Sequence, residues 1–485
     1  MFNYQQKIAG LLLHISSLPS GSMGEDAYRF IDLLKGCGCQ VWQTLPVNMT
    51  HGDKSPYQCL SAHAGNPEFI SLAELQQQTW LQQTLPEQRA AALSMAFHEF
   101  NAHANDAEKH ALSEFCQRHA YWLDDFALFL SLREHYVQQP WNTWPQEIKL
   151  RVPHALDTAR KALHEAINFH QFVQFLFFSQ WQQLKQYAHL RGIQLFGDIP
   201  IFVSYDSADV WAQPQQFKLD DQLNMTVVAG VPPDYFSATG QRWGNPHYNW
   251  PAMQEQHFSW WIQRMQTQSV LFDILRIDHF RGLQAAWEIP AQEATAINGS
   301  WQEAPGAALL QAIQQSMPAL KLIAEDLGII TPEVEALKQS FGLPGMKILQ
   351  FAFDGSANNP YLPAHIMAED VVYTGTHDND TSLGWYQSLT VEQQQIVLNY
   401  LIAHDWKQEG DTCQMPEDLM RLALASSAFL AIIPMQDLLR LDGHHRMNVP
   451  GTVEGNWQWK FDWSQVNEQY CRDLQTQLQQ YGRLH

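Results

Sequence analysis

The sequence is short of cysteine and of basic charge and has no long apolar run, and each shortage narrows what the protein can be. Six cysteines in 485 residues, Cys37, Cys39, Cys59, Cys116, Cys413 and Cys471, make neither a disulfide framework nor paired zinc-ligand spacing. Cys37-Gly38-Cys39 is the one close pair; it stands at the end of an expected helix with Gly36 as stop signal, so reduced thiols are expected. Lys plus Arg number 29 against 50 for Asp plus Glu, and the net charge of −21 opposes binding to nucleic acid or to an anionic membrane. A neutral substrate fits that balance better. The opening residues lead into an apolar stretch that His14 breaks at once, too short for a signal core or a membrane span, so a cytoplasmic location is expected. No glycine-rich phosphate loop follows a strand, and no internal repeat or low-complexity tract is evident.

What is present is a series of short apolar runs bounded by Gly, Pro or polar turns. Eight read as strands, over residues 10–15, 40–45, 193–202, 272–278, 320–325, 347–353, 371–377 and 429–436. Near-continuous apolar runs of this length suit buried parallel strands, and eight of them predict an α/β fold, a (β/α)8 barrel of the TIM type. Two connections exceed what a barrel needs. Residues 65–191 carry Gln, Ala, Leu and Glu at helical spacing and predict a mainly helical insertion after the second strand. Residues 204–257 carry Pro214, Pro232, Pro233, Gly240, Gly244 and Pro246 and predict a loop-rich insertion after the third, an active-site lid. The whole of 1–485 then reads as one catalytic barrel domain, without a separate C-terminal β-domain.

Three of these runs end in carboxylates: Asp278 after Arg276-Ile277, Glu325 after Leu322-Ile323-Ala324, and Asp378 after Thr376-His377. Strand ends at one face of a β/α barrel are where such a fold keeps its chemistry. With a strand period of two, Arg276 and Asp278 share a face, and the guanidinium is expected to keep that carboxylate ionised by lowering its pKa. An ionised, oriented carboxylate suits a nucleophile. Glu325, at the edge of an apolar run, is expected to have a raised pKa and to suit a general acid. Its neighbour Asp326 points to the other face and is expected to be structural, capping the turn at Leu327-Gly328. His377-Asp378 can grip sugar hydroxyls and stabilise charge at an anomeric carbon. A metal site of His279, His377, Asp378 and Asp380 is the competing reading.

In order, Asp198 in Phe196-Gly197-Asp198, Arg276-Ile277-Asp278-His279, Glu325 and His377-Asp378 resemble the four motifs of the α-amylase superfamily. Residues 230–236 (Gly-Val-Pro-Pro-Asp-Tyr-Phe), 240–246 (Gly-Gln-Arg-Trp-Gly-Asn-Pro), 341–347 and 374–380 are similar, more narrowly, to the 4-α-glucanotransferases, also called amylomaltases. The likeness runs from Leu11 to about Trp459 and implies transfer of α-1,4-glucan segments with retention. By it Asp278 is the nucleophile, Glu325 the acid/base and Asp378 the transition-state stabiliser, with Arg276, His279, His377 and Asp198 around the donor sugar. It also implies sugar contacts for Tyr57, Asp354 and Asn448. The stretch from Gly230 to Trp243 would arch over the cleft, with Asp234, Tyr235, Phe236, Gln241 and Trp243 toward substrate. Malto-oligosaccharides and α-1,4-glucans would be donor and acceptor, with no metal, no cofactor and no obligatory protein partner.

The chain also departs from that pattern. Residues 20–25 are shorter than is usual in the family, and His51-Gly52-Asp53-Lys54 stands where some members present a Tyr to a second glucan. Hydrolysis within the same superfamily, a metal-dependent barrel hydrolase and a non-catalytic glucan-binding protein are the alternatives to transfer.

Overall fold

Apolar runs buried along nearly their whole length build a sheet that closes around a lumen. The computed structural model describes residues 2–233, 237–452 and 454–485. Among them eight parallel strands form one sheet: β1 (Ile8–Leu12), β2 (Val41–Gln43), β3 (Gln194–Ile199), β4 (Ile274–Ile277), β5 (Lys321–Ala324), β6 (Met346–Ile348), β7 (Val371–Tyr373) and β8 (Leu430–Pro434). Every strand pairs with the next in sequence except at β5 and β6, and β8 returns to pair with β1. At that seam the Ala324 amide donates to the Pro344 carbonyl at 2.9 Å. Asp326 reinforces it: Oδ1 accepts from the Met346 amide at 2.7 Å and Oδ2 from Lys338 Nζ at 2.6 Å. Asp326 therefore ties the barrel shut rather than capping its own turn. Gly345 is required there, because a Cβ would lie 2.2 Å from Asp326 Oδ2.

Period two then sorts side chains between two cores. Ile8, Leu12, Val41, Phe196, Ile274, Ile323, Met346, Ile348, Val371, Tyr373 and Ile432 fill the lumen. Leu11, Trp42, Leu195, Ile199, Leu275, Ile277, Leu322, Val372 and Ile433 point outward to the helices. Lumen-facing parity continues upward to Asp198, Arg276, Asp278 and Glu325 at the C-terminal strand ends, the face where barrel chemistry sits.

Between β2 and β3 lie long helices at Arg89–His103, Asp106–His135 and His164–Leu190, with shorter ones between them. Asn105 and Glu108 cap the second reciprocally, at 3.0 and 2.8 Å. The last also belongs to the barrel's outer layer, since Trp181 Nε1 donates to the Leu271 carbonyl at 2.7 Å and Tyr187 meets Tyr28 edge-on at 4.8 Å. The stretch 204–257 is loop-rich, and it contains two strands, Val227–Val231 and Gln241–Pro246. With Ala285–Pro290 and Ser300–Glu303 they make a four-stranded antiparallel sheet standing on the catalytic face.

The helix Glu25–Cys37 ends on Gly38 in the left-handed region (φ 83°), so Gly38 is the stop and Gly36 lies inside the helix. Beyond β8 the chain reaches the helix Glu468–Gln480. Arg483 follows it and is fully buried, donating to the carbonyls of Leu424, Ile8 and Ala428 at 2.6, 2.9 and 2.9 Å. No helix among the described residues is long and apolar enough to cross a membrane.

Candidate active site

Arg276 is the electrostatic centre of the strand ends. Its Nη1 meets both oxygens of Asp198, at 2.8 and 2.6 Å, and Asp278 Oδ1 at 2.9 Å. The Arg276 and Asp198 side chains are buried, whereas the Asp278 side chain keeps 29% exposure. Glu325 stands one step beyond the last paired residues of β4 and β5, Ile277 and Ala324, and its amide donates to the Ile277 carbonyl at 3.0 Å. Asp278 and Glu325 are thus neighbours on adjacent parallel strands, whose spacing of about 4.8 Å sets the scale of their separation. Two backbone amides orient Glu325: His279 N–H donates to Oε2 at 2.6 Å and Leu327 N–H to Oε1 at 3.0 Å. His279 reaches that position through a left-handed turn (φ 53°), which also lays its ring edge-on against Trp243 at 4.9 Å.

A second cluster comes from the loops after β2, β7 and β8. Tyr57 donates its hydroxyl to Asp198 Oδ2 at 2.7 Å, stands 2.9 Å from His377 Nε2, and stacks on that imidazole at 5.2 Å and 17°. Trp457 packs against both rings, at 5.9 and 6.0 Å. Asp378 is held by His377 Nε2 at 3.3 Å and by Asn448 Nδ2 at 2.7 Å, with its side chain 48% exposed toward the cleft. Arg446 fixes the Asp378 backbone through its carbonyl, at 2.9 Å.

The three carboxyl groups are pushed apart in acidity. Burial raises Glu325 to about 7, against the pull of Arg276 and its two amide bonds, and the nearby Asp278 charge adds to the rise. Burial also raises Asp278, to about 6; Arg276 opposes that without overcoming it, and Asp198 and Asp378 add to it. The expectation that the guanidinium would bring Asp278 below its ordinary range fails, because a carboxylate among other carboxylates in a cleft loses more to desolvation and repulsion than one shared cation returns. Asp378 goes the other way, because His377 and the Asn448 amide outweigh its burial and hold it well below the usual range. His377 is raised in return, with Asp378 overcoming burial.

A family model described as 4-alpha-glucanotransferase matches residues 13–465. The chain belongs to the 4-alpha-glucanotransferase family. The 4-alpha-glucanotransferase of Thermus thermophilus is 45% identical to it over 498 residues, covering 98% of this chain and 99% of that one. The chloroplastic/amyloplastic enzyme of that name from Solanum tuberosum is 39% identical, over 98% of this chain and 86% of its own length. Among solved structures, the amylomaltase from Streptococcus agalactiae in complex with acarbose superposes with a TM-score of 0.92 at 37% identity, covering 99% of this chain and all of that one. The amylomaltase from Corynebacterium glutamicum shares the fold, at 18% identity and a TM-score of 0.79 over 99% of this chain and 76% of that one.

Of the residues that the family resemblance singles out, the structure gathers Tyr57, Asp198, Arg276, Asp278, His279, Glu325, His377, Asp378 and Asn448 into neighbouring contact clusters at the strand ends, with Trp243 against His279. Gln241 lies on the lid strand, where its Oε1 accepts from Trp243 Nε1 at 3.1 Å. Asp354 is exposed in a turn, capping the Ser356 amide at 2.8 Å, and makes no contact with the cluster. Asp234, Tyr235 and Phe236 lie outside the described residues. Among the described residues no group of three or more His, Cys, Asp or Glu side chains is placed to hold a metal. Of the four residues in the metal reading, His279 packs on Trp243 and Asp380 faces Arg446 at 3.7 Å. Trp457 and Arg446 were not foreseen. Their signal was weak, an aromatic after Gly455-Asn456 and a cation two residues before Asn448, in a stretch with no regular structure to give it a period.

Proposed function

We propose that this chain moves α-1,4-glucan segments between malto-oligosaccharides by a retaining double displacement, with Asp278 as nucleophile, Glu325 as acid/base and Asp378 as stabiliser of the charged sugar. The observation that carries this reading is the in-register pair at the ends of β4 and β5: one carboxylate bound to Arg276, the other held by two amides and raised to about 7. Side chains that leave one register position on neighbouring strands can bring their carboxyl groups within the ~5–5.5 Å that retention asks for.

In the first step an Asp278 oxygen attacks the anomeric carbon while the bond to the leaving glucan breaks, and the Glu325 proton passes to the leaving oxygen. The covalent glucosyl ester keeps the donor segment on the enzyme. In the second step Glu325, now ionised, takes the proton of an acceptor 4-hydroxyl, whose oxygen displaces Asp278 and restores the α-linkage. Asp378, kept ionised by His377 and Asn448, faces the positive charge that develops at the ring in both steps. Tyr57, His377 and Trp457 form the aromatic wall for the donor glucose, and Trp243 offers a flat face to the acceptor.

Incubation with maltotriose tests the reading. The native protein is expected to give both glucose and longer oligomers, and Asp278→Asn and Glu325→Gln to lose nearly all of that while remaining folded. Glucose and maltose as sole products would favour hydrolysis. Native-like turnover in either variant would discard the assigned roles.

A further inference from the structure

Glu325 delivers its proton to the leaving oxygen, so the loop that continues from it borders the side of the cleft where the acceptor lies. That loop runs through Leu327 and Gly328 to Ile329, whose side chain is 58% exposed. Arg281, three residues beyond Asp278, donates Nη1 to the Ile329 carbonyl at 2.5 Å and so joins the loops that carry the two carboxylates. The same guanidinium lies over Trp301, 3.8 Å from the ring centroid. Trp301 belongs to the edge strand Ser300–Glu303, exposed along its whole length, where it pairs in register with Trp287 at 5.2 Å. With Arg281 over the indole and Trp287 edge-on to it, Trp301 still keeps 36% of its surface in water, and Ile329 keeps 58%. Ile329 lies four residues beyond Glu325 and shares Arg281 with Trp301.

From this we infer that Trp301 and Ile329 form a distal acceptor subsite for a glucose unit of an incoming malto-oligosaccharide, remote from the reacting 4-hydroxyl, with Arg281 as the positioning residue. The inference rests on the glucanotransferase reading above. A neutral pyranose matches the surface: its C–H face packs on an indole, and its hydroxyls stay in water at the rim. Among the described residues no strand pairs with the outer side of this edge strand, which leaves room for a glucan chain to cross it. The subsite discriminates by length, because glucose cannot span from the reacting position to Trp301 whereas a longer oligomer can.

The test uses soluble amylose as donor and labelled glucose or labelled maltopentaose as acceptor, and reads the ratio of kcat/KM for maltopentaose to that for glucose. In Trp301→Ala this ratio is expected to fall about three- to ten-fold, the range of one lost aromatic contact. Trp301→Phe, which keeps a flat ring, is expected to recover part of it. Ile329→Ser, an exposed loop change that leaves folding intact, is expected to lower the ratio by a smaller factor. Folded variants with the native ratio, or with equal losses for both acceptors, would overturn the subsite. A native protein that forms no longer oligomers at all would instead overturn the glucanotransferase reading.

Discussion

Replacing Arg276 by methionine keeps the length of the side chain, removes its charge, and should move the pH profile of the reaction as well as lower it. Arg276 faces Asp278 at 2.9 Å and Asp198 at 2.6 and 2.8 Å, all through one nitrogen. Two unit charges about 4 Å apart at an effective dielectric of ~20 interact by roughly 4 kcal/mol. Asp278 is open to water on one side, so about half of that, or roughly 1.5 pKa units, is a fair figure for what it loses. Starting from about 6, its ionisation would then pass above neutrality. Glu325 also loses a cation that favours its charged form, so both limbs of a plot of kcat/KM against pH shift to the alkaline side. Near pH 6 the share of ionised Asp278 falls by about ten-fold, and lost orientation lowers the rate further. Glucose release from maltotriose between pH 4.5 and 9 measures this directly. A variant with native inflection points, merely scaled down, would refute the electrostatic role. The same change leaves Asp198 buried with the Tyr57 hydroxyl as its remaining partner, at a cost of about 3–5 kcal/mol in denaturant unfolding, and Asp198→Asn added to it should restore part of that stability.

Two further outcomes follow from the same geometry. Trp243→Ala removes a flat face set against His279 and should raise the share of hydrolysis relative to transfer; an unchanged ratio of the two would count against its acceptor role. For Glu325→Gln the expectation is a stability difference that depends on pH. Burial raises the Glu325 carboxyl from its ordinary 4.5 to about 7, so the folded state binds a proton that the unfolded chain has released, and the native protein loses stability as pH rises through that window. Glutamine does not titrate, so the variant should gain on the native protein between about pH 4.5 and 7 and hold a constant difference above that range. Chemical unfolding at several pH values that shows a constant difference throughout would contradict the raised pKa of Glu325.

The strand ends were legible in the sequence because a parallel strand buried on both faces reads as a plain apolar run, and a carboxylate at the end of such a run has few places to go but the barrel mouth. All eight runs became strands, several shorter than read. Residues 347–353 gave only Met346–Ile348, because the chain turns at Leu349–Phe351 and leaves Phe351 in water, a change of direction that an apolar pattern does not record. The strands of the lid sheet were not legible. They are short, interrupted by Gly and Pro, and join 227–246 to 285–303, so the pairing that defines them is absent from any local window.

Sequence order and parity alone determined which side chains point into the lumen, and hence that Asp198, Arg276, Asp278 and Glu325 would share one face. The tertiary structure decided what those groups experience. Tyr57 meets His377 across 320 residues of chain, Asn448 meets Asp378 across 70, and each carboxyl group ends with an acidity set by how much water it keeps and which cation or dipole stands beside it. Desolvation and Coulomb interactions act through space, so Asp278 and Glu325 are raised and Asp378 is lowered for reasons that lie in other loops of the chain.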